Sequence, residues 1–268
     1  MVLLHGQPGS AADWTAVSDR LLSSFTVVTP DRPGYGRTGG RAAGFAANAD
    51  ATCELLDRLG TASAIVVGHS WGGGVALALA EMQPERVHAL ALVASVGPCE
   101  AVGVVDRLLA IPPIGSMLAS VALGSAGRAL AHPAVRHMVE RRVAAPTGDA
   151  LGRSWRQGGT AHSFAIEQRA LIDELGGLTG GLSALRAPTV VVVGTADRIV
   201  APAVGERLAR RIPGATLVRV EGAGHLLPFS HPDVIAAAVV SVARRVGSPL
   251  SVRQRTTFTR RDGGGTCR

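Results

Sequence analysis

Three residues have the types and settings that nucleophilic catalysis needs. Ser70 lies in Gly68-His69-Ser70-Trp71-Gly72, between an apolar run, Ala64-Ile65-Val66-Val67, and a small-residue stretch from Gly73 that reads as a helix. A G-x-S-x-G at a strand-to-helix junction is a nucleophile elbow. Its turn is so tight that the serine takes strained backbone geometry, and the glycines remove side chains that would collide. A serine hydroxyl is a poor nucleophile at neutral pH, so it needs a base, and the base needs an orienting acid. Of the eight histidines, His225 fits best: Glu221-Gly222-Ala223-Gly224-His225 is a glycine-flexed loop just past the apolar run 216–220. Asp197, in Gly194-Thr195-Ala196-Asp197-Arg198, likewise follows the run 189–193. It is preferred over Asp31, which precedes the elbow and reads as bracing its own turn, and over Asp106 and Asp173 in a helical insertion. His5 reads as a loop brace, His69 as structural because the elbow turns it away from the nucleophile, and His231 as a helix-entry residue before Pro232.

These groups converge only if the elements carrying them lie side by side. Strand-like runs at 2–5, 25–29, 64–67, 89–94, 189–193 and 216–220 alternate with helical patterns at about 12–22, 45–59, 73–84, 204–211 and 232–246. Continuous Val, Ile and Leu strands separated by helices indicate an α/β fold: a doubly wound, mostly parallel sheet covered on both faces. In such sheets ligands bind beyond the carboxyl ends of the strands, where Ser70, Asp197 and His225 all fall, in that chain order. The alternation breaks between residues 98 and 185, which hold helical pieces, Gly and Pro interruptions and no convincing strand. The expected organisation is a core over 1–97, a helical lid over 98–185, the rest of the core over 186–247, and a disordered Ser/Thr/Arg/Gly-rich tail over 248–268.

Four motifs in this order resemble the α/β-hydrolase fold family: His5-Gly6-Gln7-Pro8-Gly9, Gly68-His69-Ser70-Trp71-Gly72, Gly194-Thr195-Ala196-Asp197 and Gly224-His225. The loop Asp31-Arg32-Pro33-Gly34-Tyr35-Gly36-Arg37-Thr38 is similar to the family's D-x-x-G-x-G-x-S, with threonine for serine. The resemblance spans the chain from His5 to the helix after Pro232. It implies an oxyanion hole built from the backbone N–H groups of Gln7 and Trp71, with the Gln7 side chain either lining the pocket or bracing the loop. Relatives carry two additional strands before the H-G-x-P-G loop, whereas this sequence opens at the strand leading into it. A late start, a truncated gene or a shortened sheet would each produce that. In the last case the 25–29 strand becomes an unprotected edge.

Composition limits the rest. A length of 268 residues with 47% hydrophobic and 18% charged side chains is that of one large globular domain or a core with an insertion. The net charge of +7 invites a nucleic-acid reading, yet every basic side chain is arginine and no nucleic-acid fold signature is present. Cys53, Cys99 and Cys267 are odd in number and widely spaced, which indicates neither a disulfide framework nor a metal site and fits a reducing compartment. No signal peptide is legible at the N-terminus, and the apolar window 101–123 is interrupted by Asp106, Arg107, Pro112 and Pro113. The expectation is a cytoplasmic protein with no membrane span, no cofactor and a small-molecule acyl substrate as its partner.

Serine at the elbow excludes the branches of the family that use aspartate there, the haloalkane dehalogenases and epoxide hydrolases. Acyl transfer to Ser70 is expected, with ester hydrolysis leading and thioester, lactone, amide or carbon–carbon hydrolysis using the same parts. Two rival classes remain: a non-catalytic ligand-binding protein of this fold, against which the complete set of Ser, Asp and His stands, and a cofactor-free oxidation such as peracid-dependent halogenation, which would use the same triad as a side activity. Trp155, His162, Phe164 and Glu167 are candidates to line an acyl pocket, on a helix face that could equally be packed or solvated.

Overall fold

A computed structural model describes residues 1–97, 103–111, 113–135, 152, 154–178 and 180–247. The expected tail at 248–268 and parts of the expected lid lie outside these. Five strands form one sheet: β1 (Val2–Leu4), β2 (Ala64–His69), β3 (Val87–Val93), β4 (Thr189–Gly194) and β5 (Thr216–Val220). They are all parallel and lie in sequence order. Helices α1 (Thr15–Leu21), α2 (Phe45–Arg58), α3 (Trp71–Met82), α4 (Val104–Leu109), α5 (Ile114–Ala131), α6 (Thr160–Leu178), α7 (Pro202–Arg211), α8 (Leu227–Ser230) and α9 (Pro232–Arg244) connect and cover it.

Strands β1 to β4 read as nearly unbroken apolar runs because both faces are buried, whereas the edge strand β5 is fully buried only at Val220. Alternate side chains point to opposite faces. Val2, Leu4, Val66, Leu90, Leu92, Val191 and Val193 join one core with α2, α3 and α6. Leu3, Ile65, Val67, Ala89, Ala91, Val190 and Val192 join a second core with α1 and α9. Removing that apolar surface from water, at roughly 25 cal/mol per Å², is the main force holding helices to sheet.

The strand expected at 25–29 is reduced to a single bridge, Val28 beside Val2. Two causes are local. The amides of Ser24 and Phe25 turn back to the Leu21 carbonyl at the end of α1, and Pro30 has no N–H with which to extend a ladder. The bridge still fixes topology. The chain pairs on one side of β1 at Val28, then crosses to the other side at β2, so its direction of winding reverses at β1. The carboxyl ends of β1 and β2 therefore flank the crevice of a topological switch point.

Between β3 and β4 the described residues form helices and no strand. The α4 and α5 helices pack on each other and on α6, yet Val104, Val105, Met117 and Val121 face solvent. By length and composition α5 is apolar enough to cross a membrane. Its apolar run starts after the Pro112 and Pro113 interruption, and only 17% of that run is buried.

Candidate active site

Ser70 sits between the last residue of β2 and the first of α3 with φ +52° and ψ −120°, a region that a non-glycine residue occupies at a cost of order 1–3 kcal/mol. Backbone bonds hold it there. Its N–H donates to Val93 O at 2.9 Å, and its carbonyl accepts from Gly73 N at 2.9 Å and Val96 N at 3.2 Å. The flanking glycines are steric requirements. A Cβ at Gly68 would collide with the Gly72 carbonyl, and one at Gly72 with the carbonyls of Leu4 and His5.

His225 reaches Ser70 from the loop after β5. Its Nε2 lies 2.9 Å from Ser70 Oγ and its Nδ1 lies 2.8 Å from Asp197 Oδ2. Asp197 divides its oxygens: Oδ1 accepts from the amides of Ile199 at 2.8 Å and Val200 at 3.0 Å, leaving Oδ2 to the imidazole. A carboxylate accepts, so Nδ1 carries the proton and Nε2 is free to accept from the serine. The three side chains form one hydrogen-bonded line from acid to hydroxyl. Such a line can take the serine proton as the oxygen attacks an electrophilic carbon.

Gln7 and Trp71 stand on either side of the crevice, at the ends of β1 and β2. Trp71 opens α3, where a helix amide has no intrahelical acceptor. The Gln7 side chain both lines the pocket and braces the loop, donating from Nε2 to Phe164 O at 2.9 Å and Gln168 Oε1 at 3.0 Å. Gln168 in turn donates to Asp106 at 3.0 Å, tying α4 to the loop. Asp31 braces its own turn by accepting from Arg37 N and ties that turn to the segment after β1 by accepting from Ala11 N.

Ser70 opens into a cavity of about 340 Å³. Its apolar wall is Val96, Leu109, Phe164, Leu171, Leu175 and Val200. Phe164 is thus a pocket residue, as the sequence allowed, whereas Trp155, His162 and Glu167 do not line it. Among the described residues no group of three or more His, Cys, Asp or Glu side chains is arranged to hold a metal ion.

Two neighbouring histidines are structural. His69 is buried and its Nε2–H donates to the backbone carbonyl of His225 at 3.0 Å. Burial first, then the nearby His225, lowers its pKa to about 3, so the ring stays neutral. His5 donates from Nδ1 to Gly6 O at 2.8 Å and accepts at Nε2 from Arg32 N at 2.9 Å, which fixes its tautomer. Burial, then the Arg32 charge, holds its pKa well below the ordinary histidine value.

Sequence reading missed a buried ion pair behind this loop. The Arg32 guanidinium meets both carboxylate oxygens of Glu167 on α6, with Arg32 only 2% and Glu167 0% exposed. Arg32 also donates to His5 O at 3.0 Å and Gly6 O at 2.9 Å, and it stacks 4.4 Å from the Trp71 ring. Tyr35 donates to Glu167 at 2.7 Å. Burial raises the Glu167 pKa, while Arg32 opposes the shift. One signal for this was present. Glu167 stands at i, i+4 spacing with Ser163, Leu171 and Leu175, a charge on the buried stripe of a helix.

Comparison with known proteins agrees with this architecture. The chain is 32% identical over 254 residues to a pimeloyl-[acyl-carrier protein] methyl ester esterase of Aromatoleum aromaticum, covering 91% of this chain and 98% of that one. It is 31% identical over 246 residues to a 2-hydroxymuconate semialdehyde hydrolase of Pseudomonas putida, covering 89% and 84% of the two chains. The structure of a thermophilic esterase from Thermogutta terrifontis superposes with a TM-score of 0.69 at 26% identity, covering 92% of this chain and 90% of that one. A family model described as the alpha/beta hydrolase family matches residues 1–238. Parallel sheet, strand-end serine and matched family model lead to one conclusion: the chain belongs to the α/β-hydrolase family.

Proposed function

We propose that the protein is a serine hydrolase that cleaves a carboxylic ester of a small or medium apolar acyl group through an acyl-enzyme. The observation that carries this is the line Ser70 Oγ–His225 Nε2, His225 Nδ1–Asp197 Oδ2, with distances of 2.9 and 2.8 Å, at the wall of an apolar cavity. The esterase names of two similar proteins support it.

In this reading Ser70 Oγ attacks the ester carbonyl carbon as its proton passes to His225 Nε2. The carbonyl oxygen becomes an oxyanion, which the N–H groups of Gln7 and Trp71 stabilise, each worth about 10²–10³ in rate. The tetrahedral centre collapses, the carbon–alkoxide bond breaks, and His225 returns the proton to the departing alcohol. Water then repeats the sequence: His225 takes its proton, hydroxide adds to the acyl carbon, and Ser70 leaves with the proton restored. Asp197 keeps the imidazole in its reactive tautomer and balances the imidazolium charge. Helices α4 to α6 act as the lid that closes the acyl side.

Incubation with a fluorophosphonate probe tests the reading. Labelling is expected at Ser70, abolished in Ser70→Ala and strongly reduced in His225→Ala. A folded protein that takes no label is no serine hydrolase. A second reading, hydrolysis of a bond other than an ester, is favoured by the similarity to the semialdehyde hydrolase. Rates on p-nitrophenyl esters of increasing acyl length beside lactones, thioesters and amides separate the two.

A further inference from the structure

We propose that the cavity carries an anion subsite at Arg207 and Arg198, and that its acyl substrate is a half-ester of a dicarboxylic acid, with a free carboxylate across an apolar chain from the scissile ester. This rests on the hydrolase reading above and names the substrate class of that site.

Most polar side chains lining the cavity have partners within the protein. The cavity's two carboxylates are both occupied in this way. Asp197 has two backbone amides and His225 as partners, and Asp106 accepts from Gly103 N at 2.8 Å and from Gln168 at 3.0 Å. Gln7 and Gln168 bond to each other. The two guanidinium groups are the exception. Arg207, on α7 one turn past the cavity residue Val204, has an Nε that is inaccessible to solvent and donates to nothing. Arg198 follows Asp197 in the exposed loop after β4 and also lines the cavity, and among the described residues neither arginine has an ion-pair partner.

A buried donor without an acceptor costs free energy that native structures rarely tolerate. The sealed Nε itself is out of an anion's reach, but the Arg207 side chain lines the cavity, and guanidinium matches a carboxylate in two parallel hydrogen bonds. The contrast with Arg32 is informative. Each guanidinium nitrogen of that arginine has a partner in Glu167 or a backbone carbonyl, while Arg207 lines the cavity with no ion-pair partner among the described residues. Ser70 stands at the start of α3 and Arg207 on α7, so one ligand touching both must be bifunctional. The apolar wall of the cavity that both line is suited to methylene groups.

The test compares kcat/KM for p-nitrophenyl hydrogen adipate, an anion, with p-nitrophenyl methyl adipate, its neutral isostere. The anion should be preferred by about tenfold or more, since charge-assisted hydrogen bonds are the strong ones. High ionic strength should shrink that preference in the unaltered protein. Arg207→Met should bring the ratio toward one, and Arg207→Glu should invert it. Binding of monomethyl and dimethyl adipate to Ser70→Ala, followed by calorimetry, reads the subsite without turnover. No preference for the anion in either experiment, or a preference untouched by the Arg207 variants, overturns the proposal. Fluorophosphonate labelling of Ser70 reports the hydrolase reading separately, whatever the acyl preference.

Discussion

Two polar networks meet at the Gly6–Gln7 loop, and both pair a carboxylate with a nitrogen base. In one, Asp197, His225 and Ser70 run in a line that ends on a hydroxyl facing a cavity. In the other, Glu167, Arg32, Tyr35 and His5 are sealed, and each group finds its partner inside the protein. Residue type does not separate them, because each has an acid and a histidine. What separates them is the open end. A chain of hydrogen bonds that terminates at a cavity can hand a proton to something new, whereas one that closes on itself can only hold shape. The closed network holds the carbonyls of His5 and Gly6, and hence the loop that presents Gln7, to the site the open one serves.

Variants can break that contrast, beginning with the largest effect. Ser70→Ala should lower ester turnover by about 10⁴ or more and leave the urea unfolding midpoint nearly unchanged. Parallel loss of both would put Ser70 in the structural network instead. Glu167→Gln should do the reverse. It leaves the Arg32 charge buried and unmatched, at a cost of about 3–5 kcal/mol in urea denaturation. A double replacement with Arg32→Met should recover part of that loss, and a single-variant cost under about 1 kcal/mol would remove the brace.

A pH experiment sharpens the role of His69. Its folded pKa, about 3, lies below that of an unfolded histidine, so unfolding takes up a proton as the pH falls below about 6.5. The stability it contributes is whole above that pH and declines on the acid side. Between pH 7 and pH 5 this group should cost about 2 kcal/mol, and His69→Gln, which keeps an N–H for the His225 carbonyl, should lack that share of the slope. Equal slopes in the two proteins would mean that His69 is not held neutral. The smallest effect belongs to Gln7→Leu. Loss of its bonds to Phe164 O and Gln168 should lower stability by about 1–2 kcal/mol and reduce kcat more than it raises KM. A pure KM effect would make that side chain a binding contact and not a brace.

How far the sequence could be read follows from the range of the forces involved. Ser70, Asp197 and His225 were legible because each sits a residue or a few past an apolar run, beside glycines whose role is local and steric. Most helices showed for the same reason, through the spacing of their buried faces. The 25–29 segment misled because its alternation and β-branching are strand-like, while a helix end behind it and Pro30 ahead leave only one bridge. Arg32 and Glu167 stayed invisible as a pair, since 135 positions separate them and no local pattern encodes which buried charge meets which.

The sequence by itself determined the reactive groups, their order along the chain and the parallel sheet that carries them. Those depend on backbone preference and on apolar periodicity, which act over a few residues. Tertiary structure alone decided that Arg32 meets Glu167, that Gln7 is held by α6, and that two arginines are left facing the cavity. Each of these depends on groups from distant elements competing for the same partner, and only the packed fold brings the competitors together.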